Sequence, residues 1–216
     1  YYINLMQNNK NKPPLFWARG KKLLSSKDKK LAKIINNYPN DFLFSKSDPF
    51  LTLARSIIGQ QISVRVAQSV WEKLQLKVKK IDPEHIFNIH SSSLKSVGLS
   101  RQKVEYLKNL SSSFINKEIK VNLWPKMDDE EIIKDLIQIK GVGRWTAEMF
   151  LIFNLCRADI FPLDDIGMIK GLCKIYNIVY PINRQKLIKI GDKWKPYRSI
   201  ATWYLWRSLD PIPVEY

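Results

Sequence analysis

The chain has 216 residues, 45% of them hydrophobic and 12% aromatic, and carries 36 basic side chains against 20 acidic ones, a formal net charge of +16. That content suits one good core or two small ones and excludes a disordered chain, while the charge favours a polyanionic partner, either nucleic acid or anionic lipid. Two cysteines, Cys156 and Cys173, exclude a disulfide framework or zinc-like spacing, His85 and His90 lack neighbouring ligands, and no apolar run reaches the ~18 residues of a membrane span.

The opening YYINLMQNNKNK has neither the apolar core nor the cleavage site of a signal peptide, so a soluble, intracellular protein is expected. Residues 1–22, rich in Asn, Lys and Pro, read as an arm, with Leu15 to Trp17 able to dock on the body; the core then runs over 23–216. KDKKLAKIINNY predicts a short amphipathic helix. Asp48-Pro49 starts the next, which Gly59-Gln60-Gln61-Ile62 breaks. Ser63 caps VRVAQSVWEKLQL, in which Val66, Val70, Trp71 and Leu74 share a side, and Arg65 either supports this start or contacts a partner. Asp82-Pro83 opens another helix, and a turn at Val97-Gly98-Leu99 with a cap at Ser100 separates two more. The absence of two-residue alternation, βαβ units or a fixed repeat makes the expected class all-α.

The most informative stretch is DDEEIIKDLIQIKGVGRWTAEMFLIFNL, residues 128–155. Its acids favour a helix N-terminus, and Ile132, Ile133, Leu136, Ile137 and Ile139 form the apolar face. Gly141 and Gly143 permit positive φ and let a phosphate approach bare backbone, while Val142 plugs into the core between them. Arg144 then stands at a helix N-terminus, whose unpaired N–H groups suit an anion. The pattern is a helix-hairpin-helix that grips a DNA phosphate chain without reading bases; an ordinary turn with a glycine C-cap is the plainer alternative. Further on, FPLDDIGMIKGL places two adjacent acids, Asp164 and Asp165, at a loop-to-helix junction, where each is either a cap or a reagent.

IKGVGRWTAEMFLIFNL followed by FPLDDIGMIKGL resembles the helix-hairpin-helix (HhH-GPD) DNA glycosylases. GVGRWTA, LDD, KWKPYRSIATWYLW and the upstream LARSIIGQQISVRVA are similar to the alkylation-repair branch, DNA-3-methyladenine glycosylase II, in the expected order over roughly residues 45–210. The resemblance implies two helical lobes, approximately 50–165 and 23–49 plus 166–216, with the active site in the cleft between them. About 45 residues precede the first matched helix, too few for the β domain of larger members, so the compact form is expected.

It further implies that Asp165 is the catalytic carboxylate and Asp164 the cap of the helix beginning at Ile166. The lysine of the glycosylase/lyases is replaced by Trp145, which cannot form a Schiff base, so a monofunctional enzyme is expected. The four-cysteine iron–sulfur signature is absent, and a Na+ or K+ ion on the carbonyls of Ile137, Ile139 and Val142 is implied, with no side-chain metal site. Trp145, Met149 and Trp206 match base-pocket positions; Met149 stands where some relatives have Tyr, and Trp206 reads equally as pocket or core. Trp203 and Trp194 read as structural. Gln61 matches the residue that fills the gap left by a flipped base, although Gln60 and Gln61 both also suit satisfying the turn backbone. Gly141, Gly143, Arg144, Lys195 and Arg198 are the expected DNA contacts, with Lys193 beside them.

The chemistry is coherent with one acid. Breaking an N-glycosidic bond builds positive charge on the sugar, which a buried carboxylate stabilises while orienting water. An N3- or N7-alkylated purine is already cationic, so it leaves without a second acid and is attracted to aromatic faces. The expected activity is removal of 3-methyladenine or 7-methylguanine type bases from double-stranded DNA by a monomer. A non-catalytic DNA-binding module and a glycosylase for another lesion remain as alternatives.

Overall fold

The structure, a computed structural model, describes residues 12–45 and 48–210. These form twelve α-helices and one 3-10 turn, Trp124–Lys126, with no strand among the described residues. The helices are α1 (Trp17–Lys27), α2 (Lys29–Asn37), α3 (Pro49–Gly59), α4 (Val64–Lys77), α5 (Pro83–Asn88) and α6 (Ser91–Ser96). They continue as α7 (Arg101–Ile115), α8 (Asp129–Leu136), α9 (Arg144–Phe153), α10 (Ile166–Tyr176), α11 (Arg184–Asp192) and α12 (Arg198–Arg207). The all-α expectation is met.

Short polar caps decide where these helices begin, because a side-chain oxygen at the N-cap satisfies N–H groups that have no partner inside the helix. Asp48 accepts from Leu51 N at 3.0 Å and Asp82 from His85 N at 2.9 Å, each followed by a proline suited to the first helical position. Ser63 and Ser100 cap α4 and α7. Asp128 and Glu131 form a reciprocal capping box at 2.8 and 2.9 Å.

The chain divides into two compact units, one built on residues 48–150 and the other on 12–45 with 151–210. In the 48–150 unit the buried faces of α3 (Leu53, Ile57), α7 (Val104, Leu107, Leu110) and α8 (Ile132, Ile133, Leu136) supply the core, and Val142 is buried as expected. Trp124 packs edge-on against Phe150 and donates its indole N–H to the buried Asp135 at 2.7 Å. Two predicted core residues lie outside. Val66 is 49% exposed, because only Val70, Trp71 and Leu74 of α4 reach the interior; Ile137 is 47% exposed, because it is the C-cap where α8 ends and the chain enters its turn.

The other unit corrects two boundaries. The arm expected over 1–22 gives way to helix at Trp17, whose buried ring meets Trp203 edge-on at 5.6 Å and stacks on Tyr204 at 6.1 Å. Gly20 lies so close to α12 that a Cβ there would meet Ile200 at 2.3 Å. Residues 1–11 of the expected arm lie outside the described residues. The stretch 151–165, expected with residues 50–150, belongs with the C-terminal segment instead. Its anchors explain this: Ser199 Oγ donates to Arg157 O at 2.6 Å and accepts from Ile160 N at 2.9 Å, Arg198 pairs with Asp159, and Phe153 stacks on Trp206. Trp203 and the fully buried Trp194 are structural, as expected.

Candidate functional site

In the 48–150 unit, α8 and α9 are joined by the turn that the I-x-G-V-G-R string predicts. Gly141 adopts φ +98°, a conformation L side chains rarely take, and a Cβ there would sit 2.1 Å from Tyr106 Cγ. Gly143 differs from expectation: its φ is not in the left-handed region, and an added Cβ would meet nothing within 4 Å. Its glycine leaves open space before the N-terminus of α9, which is what an approaching phosphate needs. The two glycines therefore differ: Gly141 is required by conformation and packing, whereas Gly143 borders open space.

The basic groups of this turn are not held in reserve. Arg144 donates to Glu130 through both terminal nitrogens, the Nη1 bond measuring 3.0 Å, and through Nε to Glu148 at 3.1 Å. Lys140 pairs with Glu105 at 2.5 Å. These acids were not among the predicted site residues; Glu130 sits in the acidic run read only as a helix start.

The GQQIS turn separates its two glutamines. Gln60 is half-buried, and its Nε2 donates to Gly141 O at 2.9 Å and Thr146 Oγ1 at 3.0 Å. Gln61 is exposed at φ +57°, at the apex of the turn. Lys103 of α7 holds the turn from below, donating to Ile58 O and Gln60 O at 2.7 Å each, and burial lowers its pKa. Sequence offered no sign of Lys103, whose partners are backbone carbonyls. Ser63 is the N-cap, and Arg65 is exposed.

The acidic pair lies in the other unit, and the structure reverses its expected division. Asp165, not Asp164, caps α10: its Oδ1 accepts from Met168 N at 2.5 Å. The same oxygen accepts from the indole Nε1 of Trp206 at 2.8 Å, and Asp165 is 7% exposed. Asp164 is exposed and pairs with Arg184 at 2.6 Å. Backbone geometry decides the cap, since the residue with extended φ/ψ just before the first helical turn is Asp165. Gly167 lies against this pair, with an added Cβ 3.3 Å from both Asp165 Oδ1 and Trp206 Cδ1.

The remaining expected residues divide likewise. Trp206 is buried, stacked on Phe153 at 5.6 Å, and spends its N–H on Asp165, so it supports the carboxylate and presents little open ring. Trp145 is half-buried, whereas Met149 is fully enclosed. Lys195 is about half exposed beside Asp192 at 2.8 Å; Arg198 pairs with Asp159 through Nε and Nη2, both at 2.9 Å. Burial pushes the Cys156 thiol up to about 12 against a bond from Ser45, which disfavours the thiolate. No cluster of three His, Cys, Asp or Glu suited to a metal occurs among the described residues. No described helix is long and apolar enough to cross a membrane.

Comparison with known proteins gives this geometry a context. A family model for the HhH-GPD superfamily base excision DNA repair protein matches residues 54–196. The chain is 29% identical over 184 residues to DNA-3-methyladenine glycosylase 1 of Schizosaccharomyces pombe, covering 83% of this chain and 81% of the relative. It is 30% identical over 198 residues to an alkylbase DNA glycosidase-like protein of the same yeast, covering 88% and 93%. The solved structure of Schizosaccharomyces pombe 3-methyladenine DNA glycosylase in complex with abasic DNA matches with a TM-score of 0.78 at 30% identity, covering 88% of this chain and 95% of that one.

Proposed function

The chain belongs to the HhH-GPD superfamily of base excision DNA repair proteins, and on that premise we propose that it is a monofunctional DNA glycosylase removing alkylated purines from double-stranded DNA. The observation that carries this reading is the buried carboxylate of Asp165, fixed through one oxygen by a helix N-terminus and an indole N–H. A carboxylate oriented in this way, at the position where the family keeps its catalytic acid, suits stabilising a sugar cation and aligning water at C1′. The two N–H donors set its orientation before substrate arrives, which avoids reorganisation during the reaction.

Other residues supply binding. The open N-terminus of α9 behind Gly143 takes a DNA phosphate, and the exposed Arg144 and Lys195 exchange their carboxylate partners for phosphate oxygens, while Arg198 keeps Asp159 and adds positive charge to the binding surface. Gln61, exposed at the apex of its turn, fills the gap left by the flipped nucleotide. Trp145 offers a half-buried ring to a cationic base, and in the other unit Trp206 holds the Asp165 carboxylate. The carbonyls of Ile137, Ile139 and Val142 fit a monovalent cation in kind, being neutral oxygens at the end of α8; Ile139 O also accepts from Val142 N at 2.9 Å. Such an ion would supply positive charge beside a bound phosphate.

Trp145 stands where lyase relatives carry lysine, so the product is an intact abasic site, made by a monomer inside the cell wherever its DNA is held. Incubation with DNA treated with a methylating agent, followed by chromatography, should give free 3-methyladenine or 7-methylguanine. Borohydride should trap no protein–DNA adduct. Tight, salt-sensitive DNA binding with no released base would favour a non-catalytic module, and release of only oxidised or deaminated bases would move the substrate to another lesion class.

A further inference from the structure

The turn carrying Gln61 and the turn carrying Gly141 and Gly143 are separate in sequence but fastened together. Gln60 precedes Gln61 and gives both amide hydrogens to the hairpin, one to Gly141 O at 2.9 Å and one to Thr146 Oγ1 at 3.0 Å. Thr146, on the first turn of α9, is 1% exposed. The main chain of the Gln60 turn is pinned in its turn by Lys103, whose ammonium takes Ile58 O and Gln60 O at 2.7 Å each. Lys103 forms no carboxylate pair, so its burial is repaid by carbonyls at the C-terminus of α3, where backbone dipoles favour a cation.

The same turn of α7 also holds the hairpin. Tyr106, three residues after Lys103, packs its ring over Gly141, and Glu105 pairs with Lys140. Helix α7 is thus a bracket carrying both turns, and Gln60 is the direct strut between them. Moving either turn alone would break part-buried hydrogen bonds, which cost more to lose than fully exposed ones.

We propose that Gln60 and Lys103 are positioning residues for base flipping: they hold the Gln61 wedge in register with the backbone-gripping hairpin, so that phosphate binding drives the wedge into the helix. This inference rests on the reading of Gln61 and the hairpin given under the proposed function. It assigns a task to the first glutamine of the GQQIS turn and to a lysine whose ammonium is bonded to that turn's own carbonyls.

Gln60→Leu and Lys103→Met test it. The readouts are affinity for undamaged duplex, thermal melting, fluorescence of a 2-aminopurine next to a tetrahydrofuran abasic analogue, and single-turnover release from a 7-methylguanine that is either paired or placed in an unpaired bulge. The expected result is duplex affinity within about twofold of wild type and release from the paired lesion down about tenfold, each variant losing two part-buried hydrogen bonds. The bulged lesion, already unstacked, should lose much less, and the fluorescence rise should fall with the paired rate. Equal loss on both substrates, a changed duplex affinity alone, or no loss would overturn the proposal. If wild type releases no base, the glycosylase reading fails by itself; the fluorescence rise then decides the brace, which falls if variants and wild type give the same signal.

Discussion

At Asp165 the cap of α10 and the candidate catalytic group share one oxygen, Oδ1, which accepts from Met168 N and Trp206 Nε1. That overlap decides which substitutions are informative. Asparagine is a competent N-cap, so Asp165→Asn should keep the melting temperature near wild type, whereas Asp165→Ala should lose about 1 kcal/mol with the cap. Trp206→Phe keeps most of the ring stacked on Phe153 but removes the N–H; single-turnover base release should fall roughly tenfold or more with DNA affinity unchanged. Asp165 was singled out in the sequence because the resemblance implies that the second Asp of the pair after GVGRW is the family's carboxylate. Its cap role was not, because adjacent aspartates look alike until φ/ψ show which precedes the first turn. Trp206 gave no local sign of its bond, since it stands 41 residues from its partner.

Among the elements, the helix–turn–helix of α8 and α9 separates folding from binding most clearly. Gly141→Ala must place a methyl group into the Tyr106 ring at positive φ and should destabilise the protein by several kcal/mol, roughly as overpacking and strain together cost. Gly143→Ala meets nothing and should melt as wild type does, while weakening DNA binding by occupying the space a phosphate needs. Glu130 competes with phosphate for Arg144, so Glu130→Gln should raise duplex affinity about two- to fivefold at low salt, the scale of an exposed ion pair. An anisotropy titration checks both. The helix starts were readable from Asp48-Pro49, Asp82-Pro83, Ser63 and Ser100 because caps are local chemistry. The Arg144–Glu130 pair was not, because it depends on how two helices face each other, and the exposed Val66 and Ile137 show the same limit of helical periodicity.

For the whole molecule, the net charge of +16 on 216 residues makes duplex binding steeply salt-dependent, since each neutralised phosphate releases counterion. Acid should act on stability through carboxylates such as Asp82. Burial alone would raise its pKa, but the His85 backbone N–H, the His85 ring and Lys80 together lower it to about 2. The folded state therefore binds this proton less readily than the unfolded one, so the stabilisation is present above roughly pH 4 and is lost as pH falls toward 2. Asp82→Asn should flatten that part of a melting-temperature profile. The all-helical class was legible throughout, yet the division of the chain at residue 150 was not, because side chains such as Ser199, Arg198 and Trp206 recruit 151–165 from a distance in sequence. The central claim is that Asp165 performs base release and that DNA binding does not depend on it. Its most direct test is single-turnover release of 7-methylguanine from duplex DNA by wild type and by Asp165→Asn, with binding measured in parallel. The account predicts a loss of roughly a hundredfold or more in rate with binding and melting unchanged; full activity in Asp165→Asn would contradict it.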